Sequence, residues 1–85
     1  MSFYCYMLEC KDGSFYTGWT NNLEKRLRDH NSGKGARYTR SRLPVTLVYF
    51  EDLKSRANAM KREREIKKMN HKSKLKMVDT FTDDH

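Results

Sequence analysis

The sequence lacks any apolar run approaching the roughly 20 residues of a membrane-spanning helix. Its N-terminus also has no charged segment followed by an apolar one, so neither a membrane anchor nor a secretory leader is expected, and the location expected is cytoplasmic. Cysteine is scarce. Cys5 and Cys10 fall on one expected strand an odd number of residues apart, so their side chains leave opposite faces and do not readily bridge. A zinc site needs more ligands at short spacing than the chain offers. No repeat, linker or low-complexity segment is visible in the 85 residues, a length that suits one domain with a small core. We place that single domain at residues 1–79 and a frayed, acidic tail at 80–85.

Acids are the minority, 11 against 18 lysines and arginines, for a net charge of +7. That excess favours an anionic partner. Nucleic acid is the first candidate because neutralising phosphates releases counterions, although ribosomes and acidic proteins also attract small basic proteins. Hydrophobic residues at 36% beside charged residues at 34% describe a globular chain with a heavily charged exterior.

The most informative stretch runs from Phe3 to His30. Two runs rich in aromatics, Phe3 to Cys10 and Phe15 to Trp19, flank Asp12-Gly13, and glycine supplies the positive φ that tight hairpins need. Tyr4 and Tyr6 share one face of the first strand; on the second, Tyr16 and Gly18 point one way and Phe15, Thr17 and Trp19 the other. Tyr6 and Tyr16 are thus expected to bring their hydroxyls to one concave surface, with Gly18 leaving room beside them. Taken singly, each is an ordinary sheet aromatic.

Asn21 or Asn22 can cap a helix from Leu23 to about Asn31, on which Leu23, Leu27 and His30 form one stripe and Arg26 borders it. His30 alone reads as a helix-end histidine facing the dipole. The stretch from Asn31 to Arg42 has no periodicity. Its glycines, Lys34, Arg37, Arg40 and Arg42 suit a phosphate backbone, and Tyr38 could stack, yet a solvated loop reads as well. The spacing is not that of a Walker loop.

Val45 to Phe50 is dense in β-branched and aromatic residues and is expected to be the central, most buried strand. Ser55 can cap a second helix to about Met69. There Ala59, Met60 and Ile66 surround Glu63 on the apolar side, whereas Glu65 falls on the charged one. A carboxylate in that position needs a partner. Arg26, Arg56 or Lys67 could pair with it, and so could a divalent metal. A short covering helix from Ser73 to about Asp79, carrying Leu75 and Val78, closes the reading.

These residues resemble the core of the GIY-YIG nuclease family, with Tyr4-Cys5-Tyr6 in place of the first motif and Tyr16-Thr17-Gly18 in place of the second. Only the final tyrosine of the first and the outer Tyr and Gly of the second keep the namesake letters. The resemblance covers about Phe3 to Met69 and is to the stand-alone, one-domain members of unassigned role. It implies a small α/β domain, α+β in layout, with a three-stranded antiparallel sheet flanked by helices. It also implies catalytic roles for Tyr6, Tyr16, Arg26, His30 and Glu63, with Glu63 holding one Mg²⁺ or Mn²⁺. Asn70 matches the family's asparagine poorly. Phosphodiester hydrolysis suits these residue types: Arg26 braces the phosphate, one tyrosine activates water, the other orients it, and His30 helps to move the proton. Which tyrosine is the base stays open. The substrate expected is DNA ahead of RNA, bound also by Lys34, Arg37, Tyr38 and Arg40, with a protein partner possible for targeting. The rival readings are a non-catalytic nucleic-acid-binding module on the same fold and a small basic domain that docks on protein.

Overall fold

The computed structural model describes residues 2–84. Its elements are β1 (Phe3–Glu9), β2 (Phe15–Thr20), α1 (Leu23–Asn31), α2 (Arg37–Arg40), β3 (Thr46–Leu53), α3 (Arg56–Lys67) and α4 (His71–Asp84). The strands form one antiparallel sheet in the order β2-β1-β3, and helices flank it, an α+β layout.

The β1–β2 hairpin closes where expected. Gly13 sits at φ +84°, and its N–H donates to the Cys10 carbonyl at 2.9 Å. Asp12 steadies the turn by accepting from the Ser14 N–H at 3.0 Å and from Arg42 Nε at 3.1 Å, which ties the turn to the distant loop before β3.

The expectation that β3 is the central strand is corrected. β1 lies in the middle, and Cys5, Tyr6, Met7 and Leu8 are all buried, whereas no residue of β3 is. A dense apolar run reports that both faces are covered, which holds for an edge strand packed between helices as well as for a central one. Alternation along β1 divides the core in two. Cys5 and Met7 pack with Ile66 of α3 and Val78 of α4. Tyr6, Leu8, Cys10 and Val45 form the other cluster, joined by Leu23 and Leu27 of α1. Cys5 and Cys10 therefore belong to different clusters, and both are free thiols.

The helix caps follow the sequence. The Asn22 side chain accepts from the Lys25 N–H at 3.1 Å, and the Ser55 hydroxyl accepts from the Asn58 N–H at 3.0 Å. On α3, Ala59 and Ile66 are buried, but Met60, expected beside them, is exposed. The C-terminal helix is longer than expected and reaches Asp84, so residues 80–84 are helical where a frayed tail was expected; residue 85 lies outside the described residues. Phe81 accounts for the extension, its ring packing 5.3 Å from that of Tyr49 and 5.2 Å from that of Phe50. Within this helix Val78 is buried and Leu75 is exposed. Among the described residues no helix is long and apolar enough to cross a membrane.

Candidate active site

Strand register places the two phenols. Tyr6 pairs with Gly18 and Leu8 with Tyr16, which sets Tyr6 and Tyr16 diagonally on one face of the hairpin. Gly18 permits the close approach. A Cβ there would stand 2.7 Å from the Tyr6 hydroxyl and 3.2 Å from Tyr16 Cε2, contacts that real side chains do not tolerate without movement. Both tyrosines line a cleft of about 400 Å³ together with Gly18, Trp19, Arg26, Arg56 and Glu63. A larger cleft of about 580 Å³ beside β3, α3 and α4 holds none of the residues singled out in the sequence for chemistry.

Helix α1 delivers Arg26 and His30 one turn apart. Arg26 lines the cleft beside Tyr6, and its charge acts on the phenol. His30 is fully buried, with Nε2 at 2.9 Å from the Tyr6 hydroxyl and Nδ1 at 2.9 Å from the Thr39 hydroxyl. Such a ring is no helix-end cation facing solvent. Burial, reinforced by the Arg26 charge, pushes its pKa down to about 4, so the imidazole is neutral near pH 7. The Tyr6 phenol moves the other way. Burial pushes it up to about 12, with Tyr16 and Glu63 adding to the rise, while Arg26 opposes it.

Glu63 reaches the cleft from α3, and Glu65 is exposed, the division expected from the helical spacing. Of the three candidate ion-pair partners, the structure supplies Lys67, at 3.6 Å, with half of the lysine side chain exposed. Arg26 and Arg56 share the cleft with Glu63. The carboxylate is thus held by one long ion pair to a half-exposed lysine.

Among the described residues no three His, Cys, Asp or Glu side chains gather into a metal cluster. One carboxylate in an open, polar cleft does not suit zinc, which takes several protein ligands. It does suit Mg²⁺, which keeps most of its waters and relies on one or two carboxylates plus substrate phosphate.

The four residues expected to bind nucleic acid divide. Tyr38 is tied to the site: its ring stacks on Tyr16 at 6.2 Å and 27°, and the Arg42 guanidinium lies 3.8 Å from its centroid. Lys34, Arg37 and Arg40 lie at least partly exposed and do not line the cleft.

Sequence reasoning missed Thr39, Gly35 and Trp19. Thr39 is completely buried in the short helix α2, within a stretch read as aperiodic. Gly35, expected to offer backbone N–H groups, instead packs on His30, where a Cβ would collide with the ring. Trp19 lines the cleft with Arg56, whose guanidinium is 5.6 Å from the indole centroid. Two glycines two residues apart were the available signal for a loop closing tightly on something. Nothing local marked Thr39.

The family model described as the GIY-YIG catalytic domain matches residues 2–76. The chain is 54% identical over 77 residues to a UPF0213 protein of Clostridium perfringens, a match covering 91% of this chain and 83% of that one. It is 53% identical over 76 residues to a UPF0213 protein of Staphylococcus haemolyticus, covering 89% and 93%. The solution NMR structure of a UPF0213 protein from Bacillus halodurans is similar at a TM-score of 0.60 and 45% identity, over 94% of this chain and 85% of that one. That of a protein from E. faecalis is similar at 0.64 and 44%, over 100% and 91%. GIY-YIG proteins are usually endonucleases, which supports a nuclease-like hydrolase in general terms. A model match over almost the entire chain, with relatives more than half identical along it, means that the protein belongs to the GIY-YIG catalytic domain family.

Proposed function

We propose that the protein is a metal-dependent endonuclease that hydrolyses phosphodiester bonds in nucleic acid, DNA ahead of RNA. The observation that carries this reading is the convergence of two phenols, two guanidiniums and one loosely held carboxylate on a single cleft of about 400 Å³. Hydrolysis of a phosphodiester requires a positioned water, an acceptor for its proton, and positive charge on the non-bridging and leaving oxygens.

Glu63 is the residue that would hold one Mg²⁺ or Mn²⁺, and that ion supplies positive charge to the scissile phosphate. Arg26 braces the same phosphate through its planar donors. Tyr6 is the better proton acceptor of the two tyrosines, because its hydroxyl meets His30 and feels the Arg26 charge. As the water oxygen attacks phosphorus, its proton passes to the Tyr6 oxygen while the Tyr6 proton moves to His30 Nε2; burial disfavours the imidazolium, so the proton returns to Tyr6 as the phenol releases one to solvent. The P–O bond to the leaving oxygen breaks with its electron pair on that oxygen, which takes a proton from solvent. Tyr16 orients the water. Neutralising Glu63 also removes one of the charges that hold the Tyr6 phenol up, which favours the transfer.

Lys34, Arg37, Tyr38 and Arg40 meet the flanking backbone, and a protein partner supplies targeting. The test is incubation of end-labelled single-stranded, duplex and branched DNA with purified protein, with and without Mg²⁺. Strand scission that needs the metal and stops on chelation is expected. Binding that weakens steeply with salt but never cuts, with or without metal, would overturn the enzyme reading in favour of a binding module.

A further inference from the structure

We infer that Thr39 is a positioning residue that sets the tautomer of His30, holding Nδ1 protonated so that the Nε2 lone pair faces the Tyr6 hydroxyl. The inference deepens the proposed hydrolysis and rests on it for its functional consequence, but its structural content stands on hydrogen-bond geometry alone.

The Thr39 hydroxyl has one proton and two close polar neighbours. Its oxygen lies 2.9 Å from the Ala36 carbonyl and 2.9 Å from His30 Nδ1. A carbonyl can only accept, so the hydroxyl proton must lie on the Ala36 side for that contact to be attractive. Aimed at Nδ1 instead, it would leave two oxygen lone pairs facing each other at 2.9 Å. With the proton on the carbonyl side, the contact to the ring is satisfied only if Nδ1 carries hydrogen and donates to the threonine. A neutral imidazole has one N–H, so Nε2 is then unprotonated, and the contact at 2.9 Å to Tyr6 is the phenol donating to the ring.

Gly35 completes the device. Lacking a side chain, it lets the loop close against the ring, where a Cβ would meet Nδ1, Cγ and Cα of His30. No part of His30 is exposed, so Thr39 takes the place that water would otherwise hold at Nδ1. The hydrogen bonds then run in one direction, from Tyr6 to His30, from His30 to Thr39, and from Thr39 to the Ala36 carbonyl. In this arrangement the lone pairs of the Tyr6 oxygen are left for Arg26 and the attacking water, and Nε2 is ready to take the phenol proton. The opposite tautomer would present an N–H to Tyr6 and could take no proton there.

The experiment uses the full chain with ¹⁵N-labelled histidine and long-range ¹H–¹⁵N correlation near pH 7, on wild type, Thr39→Ser and Thr39→Val. Wild type and the serine variant are expected to show a protonated Nδ1 and a bare Nε2 at His30. The valine variant keeps the side-chain shape but cannot accept a hydrogen bond, so its His30 moves to a mixture or to the Nε2–H form. Cleavage falls with it by at least about 10-fold, serine restores it, and DNA affinity stays the same. A protonated Nε2 in wild type, or a valine variant that keeps Nδ1–H, overturns the inference. The NMR readout needs no turnover: a chain whose tautomer follows Thr39 but which never cuts DNA supports the positioning role and removes only the nuclease reading.

Discussion

Lowering the pH from about 7 to about 4.5 should destabilise this protein chiefly through one side chain, the buried imidazole of His30. In the folded state burial and the Arg26 charge lower its pKa from the ordinary 6.5 to about 4. Between those values the unfolded chain binds a proton that the native chain refuses, so stability is complete above pH 6.5 and falls as the pH drops towards 4. At about pH 4.5 the loss comes to about 2–3 kcal/mol, because each pH unit travelled between the two values costs a little over 1 kcal/mol and about two are travelled. That is a large part of the stability of a small domain. Two surface carboxylates also change, Asp12 lowered by its hydrogen bonds from Ser14 and Asp29 by Lys25. Their contribution is present above their ordinary value of 3.8 and is lost only below it, outside the chosen range. Urea unfolding at the two pH values, on wild type and His30→Gln, measures the effect. Wild type should lose about 2–3 kcal/mol more than the variant on acidification. Equal losses in the two proteins would refute the reasoning, because His30 would then be titrating as if exposed.

Three further substitutions probe the packing on the two faces of the sheet. Gly18→Ala brings a methyl group to 2.7 Å from the Tyr6 hydroxyl, so it should cost about 1–3 kcal/mol in thermal unfolding and lower cleavage more than its stability loss explains. Thr17 has a buried hydroxyl with no hydrogen-bond partner among the described residues. Thr17→Val, nearly the same shape, should therefore raise stability by up to about 1 kcal/mol, seen as a higher urea midpoint. Ile66 is fully buried between sheet and helices, and Ile66→Ala should cost about 2–5 kcal/mol by the same measurement.

What was legible in the sequence was mostly local. The Asp12-Gly13 turn, the Asn22 and Ser55 caps and the division of α3 between Glu63 and Glu65 each depend on a few adjacent residues, and each is present in the structure. The shared face of Tyr6 and Tyr16 followed from strand alternation together with a hairpin. Features set by distant contacts were not legible. The central place of β1 depends on how β3 returns along it, and the reach of α4 to Asp84 depends on Phe81 meeting Tyr49 and Phe50 across the fold. His30 on its own read as a helix-end histidine facing the dipole, because nothing nearby announces that Gly35 and Thr39 cover it. The burial and hydrogen bonding of His30 were therefore hidden from a reading of the chain, although the residues that face the cleft could be picked out.

Glu63 and Arg26 offer the most direct test of the whole account. Cleavage of labelled DNA in Mg²⁺ should be followed for wild type, Glu63→Gln and Arg26→Ala, with DNA affinity and unfolding measured on the same samples. Wild type should cut only with metal, and each variant should lose at least about 100-fold in rate while remaining folded, the glutamine variant with its DNA affinity intact. Equal cutting by all three proteins would mean that the cleft is not where phosphodiester bonds are broken.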